Sequence, residues 1–146
     1  MKEIIDFLLQ SEGIRTKAYL CPAGRWTIGI GNTFYEDGTP VKAGDTITVE
    51  RAYKLAEFVA LDFLLHVKKC LKNPATKNQH TALVSLCYNV GKPAFAKSLV
   101  LGLINTGAPK EEIVKMWSRS FITANGVISH GLQNRRLIES KKYFQA

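Results

Sequence analysis

The segment from Thr48 to about Leu71 is the longest helical pattern in the chain. Its apolar residues recur at helical spacing and fall on one broad face: Ala52, Leu55, Ala56, Val59, Phe63 and Val67. Thr48 is a residue type that caps helix N-termini, and the Asn73-Pro74 pair stops the pattern. A helix of this length runs roughly 35 Å, about the width of a small domain. The pattern therefore predicts a helical spine that joins two lobes.

Glycine, threonine and aromatic residues are frequent before this spine, from Ala18 to about Thr48. Turn-forming segments break the stretch into short pieces: Pro22-Ala23-Gly24, Glu36-Asp37-Gly38-Thr39-Pro40 and Ala43-Gly44-Asp45. The pattern predicts a small antiparallel sheet. In front of it, apolar residues at helical spacing predict a short helix over residues 2–11, and Gly13 favours a left-handed helix end.

The chain after the spine is predicted to be helical throughout. Thr76 and Gln79 have the spacing of a capping box, which predicts the start of a helix that ends at Gly91. Further helices are predicted over residues 94–104, 109–119 and 132–144, with breaks at Asn105-Thr106-Gly107 and Asn125-Gly126.

The composition is that of a globular protein with one domain. The chain has 146 residues, of which 46% are hydrophobic, and this suffices for a core without disulfide or metal support. No segment reaches the roughly 18 apolar residues of a membrane span, and no signal-peptide pattern opens the chain, so we expect synthesis in the cytoplasm. Three cysteines without metal-ligand spacing predict reduced thiols. His66, His80 and His130 lie on separate elements, so no metal site is expected.

The positive charge is concentrated in the second half of the chain. Residues 1–73 contain ten Lys and Arg against nine Asp and Glu, whereas residues 74–146 contain ten against three. This asymmetry favours a polyanionic partner, which the charge alone leaves open among nucleic acid, an anionic cell envelope and an acidic membrane surface. A basic surface kept for solubility is the simpler alternative. No nucleic-acid-binding motif accompanies the charge, so no nucleic acid partner is expected.

Glu12, Cys21 and Thr27 flank one short turn, where a hairpin can aim a carboxylate, a thiol and a hydroxyl into one cleft. Cleaving a glycosidic bond takes a proton donor at the leaving oxygen and, across the sugar, a group that orients water or attacks. Glu12 suits the donor, because it stands at the carbonyl end of the first helix, where the helix dipole disfavours negative charge. Taken singly, the three residues also suit an exposed acid, a small buried thiol and a strand threonine.

Alternation along residues 26–31 places Thr27, Gly29 and Gly31 on one face of a strand. Glycines in a strand leave space for another group to approach the backbone. The pattern therefore predicts that the two glycines make room for a ligand beside Thr27.

Three motifs in sequence order carry a resemblance to a known family. The first is Glu12, eight residues, Cys21, five residues and Thr27, followed by Ile-Gly-x-Gly. The second is Asn78-Gln79-His80-Thr81-Ala82-Leu83-Val84-Ser85-Leu86-Cys87-Tyr88-Asn89-Val90-Gly91, and the third is Gly131-Leu132-Gln133-Asn134-Arg135-Arg136-Leu137-Ile138-Glu139. Together they resemble the bacteriophage T4-type lysozymes of glycoside hydrolase family 24.

The resemblance implies an endolysin that hydrolyses the β-1,4 bond between N-acetylmuramic acid and N-acetylglucosamine in peptidoglycan, with no metal or cofactor. Glu12 would be the general acid, and Cys21 and Thr27 would position the water across the sugar. Arg135 falls where the family pairs an arginine with its catalytic glutamate; without the family, it and Arg136 would suit a solvated basic helix end. The residues assigned to the sugar are Gly31, Thr33, Tyr88 and Ser98.

The fold implied by the resemblance is a lysozyme-like α+β domain over residues 1–146. A sheet lobe would comprise residues 13–59 and a helical lobe residues 60–146 with 1–12, with the cleft between them. We expect a monomer whose basic helical lobe holds it on the anionic cell envelope. Release from the host cytoplasm to the periplasm and cell wall would require a phage holin.

Cys21 stands where the better-known members of the family have Asp. An ordinary thiol is mostly neutral at pH 7, and a nearby Glu12 anion would raise the pKa of Cys21 further, although Arg25 could oppose that shift. Two mechanisms stay open: Cys21 and Thr27 orient water and the anomeric configuration inverts, or a Cys21 thiolate attacks and the configuration is retained. Inversion is favoured by the resemblance. Asn32 also replaces the histidine of some relatives, which affects a local ion pair.

Two other classes of function remain open from the sequence. One is a lytic transglycosylase or a non-catalytic wall-binding module on the same scaffold. A water-positioning pair such as Cys21 and Thr27 argues against the transglycosylase, which does not use water. The other is a basic nucleic-acid-binding protein, against which the missing base-reading motifs argue.

Overall fold

The computed structural model describes all residues, 1–146, and their contacts divide the chain into two units, Met1–Asp62 and Phe63–Ala146. The boundary lies within a long helix. The first helix is grouped with the first unit, whereas the sequence placed residues 1–12 with the helical lobe.

The first unit contains one helix, a hairpin and most of the long helix: α1 (Lys2–Glu12), β1 (Arg15–Leu20), β2 (Trp26–Gly29) and α2 (Val49–Cys70). Gly13 ends α1 as predicted, and its N–H donates to the Leu9 carbonyl at 2.9 Å. Its φ is 66° but its ψ is −173°, so the residue is not the left-handed helical terminator that we expected. The chain therefore passes from the last helical residue directly towards β1.

The hairpin of β1 and β2 is antiparallel and short, as the turn residues predict. Tyr19 is paired with Thr27, and Leu20 with Trp26. The Cys21 N–H donates to the Arg25 carbonyl at 2.9 Å, which continues the pairing to the mouth of the turn. Cys21 is thereby held at the end of the hairpin, close to the start of β2.

The long helix α2 forms where its apolar periodicity predicts it. Thr48 caps its first turn, because the Thr48 hydroxyl oxygen accepts a hydrogen bond from the Arg51 N–H at 3.1 Å. Leu55 of α2 packs with Ile28 and Val41 in a buried cluster of the first unit. Neither α2 nor any other helix has the length and apolar content needed to cross a membrane.

The second unit consists of the rest of α2, five further helices and a small hairpin: α3 (Lys77–Val90), α4 (Lys92–Ala96), α5 (Leu99–Thr106), α6 (Lys110–Arg119), β3 (Thr123–Ala124), β4 (Val127–Ile128) and α7 (His130–Tyr143). Thr76 and Gln79 form the predicted capping box at the start of α3, and Gly91 ends that helix. The fully buried core side chains of this unit include Phe95 and Trp117.

The single helix predicted over residues 94–104 is wrong, because the chain forms α4 and α5 there. The Ser98 hydroxyl oxygen accepts a hydrogen bond from the Leu101 N–H at 3.2 Å and so starts a new helix. Pro93 lies in the first turn of α4, where a proline fits without loss of a helical hydrogen bond.

The prediction of helix throughout the second half is also wrong at residues 121–129. Asn125 and Gly126 have φ values of 53° and 79°, and they join β3 to β4. An Asn-Gly pair with two positive φ values is the preferred two-residue hairpin turn. The Asn125-Gly126 pair is therefore a hairpin signal in the sequence and not only a helix break.

Candidate active site

Glu12 is the last residue of α1, and its side chain is half-buried against the backbone of Gly31. A Cβ atom built on Gly31 would overlap Glu12 Oε2 and would lie 2.8 Å from Glu12 Cδ. The carboxylate therefore occupies the space that any side chain at residue 31 would need. The structure brings these two predicted residues into direct contact.

The loop that carries Gly31 is closed on itself. Backbone hydrogen bonds join Ile28 and Asn32 in both directions, with N···O distances of 2.8 and 3.0 Å. Ile28 and Ile30 are fully buried and anchor the loop in the core of the first unit. The Gly31 backbone is thus a fixed surface beside the Glu12 carboxylate.

The two glycines of this loop differ from the prediction that both make room for a ligand. A Cβ on Gly29 would lie 3.5 Å from the side chains of Ala52 and Ile47, so Gly29 faces the protein interior. The space beside Gly31 is filled by Glu12. Gly29 therefore borders no open site.

Thr27 and Cys21, the other two predicted catalytic residues, lie together at the end of the hairpin. Thr27 is only 3% exposed, and its hydroxyl donates to the Arg25 carbonyl at 3.0 Å. The half-buried Cys21 sulfur is within hydrogen-bonding reach of the Ala23 and Arg25 backbone and of the Thr27 hydroxyl. The Thr27 hydroxyl has one proton, so donation to sulfur requires it to rotate away from the Arg25 carbonyl.

The hydrogen bonds around Cys21 change its ionisation. Burial raises the pKa of the thiol, but hydrogen bonds from the Arg25 and Ala23 backbone and from the Thr27 side chain outweigh burial, so the pKa lies below its ordinary value. The prediction of a raised pKa is therefore wrong. The pKa is lowered because the turn supplies hydrogen-bond donors to the Cys21 sulfur, and these donors favour the thiolate form.

Arg135 lies on α7 and is 7% exposed. Its Nη2 donates to the Ser85 carbonyl at 3.2 Å, and its Nε donates to Glu139 Oε2 at 3.4 Å. Arg136 is fully buried, and its Nη2 donates to Asn89 Oδ1 at 2.9 Å. The alternative of a solvated basic helix end is therefore wrong for both arginines.

Glu139 is a central residue of this second unit to which sequence reasoning gave no role. Its Oε2 accepts hydrogen bonds from the Ser85 hydroxyl at 2.6 Å and from Arg136 Nη2 at 3.1 Å. Its Oε1 accepts from Trp117 Nε1 at 3.2 Å. The signal in the sequence was the Arg-Arg-x-x-Glu spacing, which puts three charged side chains on one side of a helix.

The residues assigned to the sugar have different surroundings. The Ser98 hydroxyl donates to the Phe95 carbonyl at 2.7 Å while it caps α5, so its proton is used within the second unit. The Tyr88 ring lies against the Phe63 ring, with centroids 5.3 Å apart. Thr33 is half-buried in the first unit, and its carbonyl accepts from the Val41 N–H at 2.9 Å.

A separate open groove on the first unit has a volume of about 710 Å³ and includes none of the predicted catalytic residues. Within it, the Tyr35 hydroxyl donates to Asp45 Oδ2 at 2.8 Å. Burial, followed by this hydrogen bond, raises the pKa of Tyr35 to about 12. Arg51 and Glu36 form a two-point ion pair in the same groove, with N···O distances of 2.6 and 2.7 Å. The third carboxylate of the groove, Asp37, accepts a hydrogen bond from the Thr39 N–H. Each carboxylate of the groove therefore has a structural partner, and the groove is distinct from the candidate site around Glu12.

Comparisons with known proteins agree on one family. The sequence pattern of the Phage lysozyme family matches residues 9–139. An endolysin of Acyrthosiphon pisum secondary endosymbiont phage 1 is 35% identical over 140 residues, which cover 92% of this chain and 90% of that protein.

Solved structures give the same result. The endolysin from Escherichia coli O157:H7 phage FAHEc1 is 34% identical, with a TM-score of 0.88 over 99% of this chain and 92% of that one. The muramidase domain of SpmX from Asticaccaulis excentricus is 30% identical, with a TM-score of 0.85 over 100% of this chain and 97% of that one.

The family match begins in α1 and ends in α7, so it includes every residue that the sequence predicted for catalysis or sugar binding. The predicted α+β, lysozyme-like fold is confirmed by the structural similarity over nearly the whole chain. The chain belongs to the phage lysozyme family, and it is a glycoside hydrolase that cuts bacterial peptidoglycan.

Proposed function

We propose that Glu12 is the general acid of this lysozyme. The observation that supports this role most directly is the contact with Gly31, because it fixes a half-buried carboxylate on a rigid backbone surface. Glu12 would donate its proton to the oxygen that leaves when the β-1,4 bond between N-acetylmuramic acid and N-acetylglucosamine breaks. The charge left on the sugar would be that of an oxocarbenium-like centre.

Cys21 and Thr27 would position the water that attacks this centre. The Thr27 hydroxyl donates to the Arg25 carbonyl at 3.0 Å, and the turn holds the Cys21 sulfur, so two polar atoms lie together at the end of the hairpin. The hydrogen bonds of the turn lower the pKa of Cys21. In its thiolate form, the sulfur would accept the proton that the water loses as its oxygen bonds to the anomeric carbon. The products would be two shortened glycans with a new reducing muramic acid end of inverted configuration.

As the family resemblance implies, Arg135 would support the catalytic glutamate, and Thr33, Tyr88 and Ser98 would bind the sugar. The buried position of Arg135 and its hydrogen bonds to Ser85 and Glu139 support a fixed guanidinium rather than a mobile surface charge. None of the roles proposed for these residues requires a metal or cofactor.

The charge distribution supports a role in holding the enzyme on the cell envelope. Residues 63–146 contain 13 Lys and Arg against three Glu, whereas residues 1–62 contain seven against nine acidic residues. Peptidoglycan and its associated polymers are anionic, so the second unit would attract them. Acting as a monomer, the enzyme would reach them from the host cytoplasm after a holin opens the membrane.

Mass spectrometry of soluble products from purified peptidoglycan tests the proposal. We expect hydrated fragments with reducing muramic acid ends from the wild type and none from Glu12→Gln, whose amide cannot donate the proton. Glu3→Gln changes an exposed carboxylate of the same helix and serves as the matched control, with full activity expected. Anhydro-muramic ends would identify a transglycosylase instead, and active Glu12→Gln would remove Glu12 from the mechanism.

A further inference from the structure

We propose that Gly31 is a positioning residue for Glu12, and that its lack of a side chain, rather than contact with the sugar, is its contribution to the reaction. The inference rests on the proposed role of Glu12 as the acid. It differs from the substrate-binding role that the sequence suggested for Gly31.

The geometry leaves no place for a side chain at residue 31. A Cβ there would overlap Glu12 Oε2, at 2.8 Å from Cδ and 3.2 Å from Cγ of the same side chain. The φ of Gly31 is 71°, in the left-handed region that favours glycine. The position is therefore restricted twice, once by backbone conformation and once by the acid.

The loop cannot retreat from such a side chain, whereas the acid can. Ile28 and Ile30 are fully buried, and paired hydrogen bonds between Ile28 and Asn32 close the loop. All three close atoms belong to the flexible end of Glu12, and none belongs to the backbone. An added methyl group would consequently leave the fold in place and displace the carboxylate.

Displacement of a proton donor affects the chemical step more than binding. A shift of about 1 Å in a reacting group can cost on the order of 100-fold in rate, because proton transfer depends steeply on geometry. Glu12 makes its contribution in the transition state, so the loss should fall on kcat with little change in KM. Replacement of a residue that only contacts the sugar would raise KM instead.

The first experiment compares Gly31→Ala with Gly29→Ala on a soluble peptidoglycan-derived oligosaccharide. Gly29 has a φ of 65°, so its replacement carries similar backbone strain, but its Cβ would meet only Ala52 and Ile47 at the ordinary distance of 3.5 Å. We expect Gly31→Ala to lose about 100-fold in kcat, with KM within about twofold, and Gly29→Ala to lose less than about threefold in kcat. Circular dichroism should show both variants folded.

A second experiment tests whether the loss passes through Glu12. Glu12→Asp withdraws the carboxylate from the Gly31 backbone and should lower kcat by itself. In the Gly31→Ala background the carboxylate is already displaced, so adding Glu12→Asp should cost much less than it does in the wild type.

The inference is overturned if the losses multiply in the double variant, if KM rises without a fall in kcat, if both glycine variants lose activity equally, or if Gly31→Ala fails to fold. Glu12→Gln separates this inference from the proposed function. If Glu12→Gln is inactive and Gly31→Ala is fully active, only the positioning role fails. If Glu12→Gln is active, the role of Glu12 fails, and the positioning role fails with it.

Discussion

Glu139 Oε1 lies 2.7 Å from Arg136 Nε, and both side chains are fully buried. The same carboxylate contacts Arg135, so two buried guanidinium groups share one anion. This arrangement gives a physical reason for the Arg-Arg-x-x-Glu spacing on α7. Residues three and four positions before Glu139 lie one helical turn away from it, so both arginines can reach its carboxylate.

Removal of the shared carboxylate should destabilise the protein severely. Glu139→Gln keeps the size of the side chain but leaves two buried cations without their common anion, which should cost about 3–5 kcal/mol of unfolding free energy. Urea denaturation measures the loss. Glu112→Gln, on the exposed face of α6, is the control and should change stability by less than about 0.5 kcal/mol. A loss below about 1 kcal/mol for Glu139→Gln would show that water or another group compensates both arginines.

The structural role of Glu139 could not be derived from the sequence, although its spacing was visible. A helical pattern places Arg135, Arg136 and Glu139 near one another, but burial depends on the elements that cover α7. Ser85 on α3 and Trp117 on α6 supply those contacts from 54 and 22 residues away. Features that depend on nearby residues are predictable from the sequence. The helix caps at Thr48 and Thr76 involve residues three positions apart, and both predictions are confirmed.

The sequence predicts which residues form the candidate site, but not how they are arranged. The spacing of Glu12, Cys21 and Thr27 singles them out as candidates, and the hairpin brings Cys21 close to Thr27. The contact between Glu12 and Gly31 depends on the path of the loop after β2, which no local pattern specifies. The direction of the Cys21 pKa shift was missed for the same reason, since backbone donors of the turn cause it.

The Glu36–Arg51 pair should make stability sensitive to acid. Hydrogen bonds from Arg51 lower the pKa of Glu36 despite partial burial, so the unfolded state takes up the proton at a higher pH than the folded state. The stabilisation is therefore present above the unfolded pKa and is lost as the pH falls through the folded pKa. Because both side chains are partly exposed, the loss should be about 1 kcal/mol or less.

Thermal unfolding between about pH 6 and pH 3 measures this effect. The wild type should lose more stability across the range than Glu36→Gln, in which the titrating group is absent. Glu57→Gln removes an exposed carboxylate from α2 and should follow the wild type. Parallel curves for wild type and Glu36→Gln would show that the pair contributes nothing to the acid response.

Thr27 should contribute to the lowered pKa of Cys21. Since its hydroxyl is one of the groups that lower the pKa of Cys21, Thr27→Val should move that pKa upwards. The rate of alkylation by iodoacetamide, followed at the Cys21 peptide by mass spectrometry, reports the thiolate fraction at each pH. The alkylation profile should shift to higher pH in Thr27→Val and stay in place in Thr33→Val. An unchanged profile in Thr27→Val would assign the shift to the turn backbone alone.

The basic second unit should make lysis dependent on salt. Residues 63–146 have an excess of ten positive charges, and salt screens attraction to an anionic wall. The rate of lysis of whole cell walls should fall as sodium chloride rises, whereas cleavage of a short, soluble peptidoglycan-derived oligosaccharide should change much less. Equal salt responses for the two substrates, or a flat response for cell walls, would remove this role from the charge.

The configuration of the first product distinguishes the two mechanisms open to Cys21. If Cys21 and Thr27 orient water, one displacement at the anomeric carbon converts the β-linked sugar to an α-anomer. Attack by the Cys21 sulfur would involve two displacements and would return the β-anomer. Proton NMR of fresh product, recorded before the anomers interconvert, should show the α-anomer first.

Cys21→Ser gives an independent check of that result. A serine hydroxyl can still hold a water molecule beside Thr27, but it is a far weaker nucleophile and base than the thiolate that the turn favours. We expect reduced activity with the α-anomer still formed first, because the water-positioning geometry persists. An initial β-anomer from the wild type, together with complete inactivity of Cys21→Ser, would instead establish a covalent intermediate on Cys21.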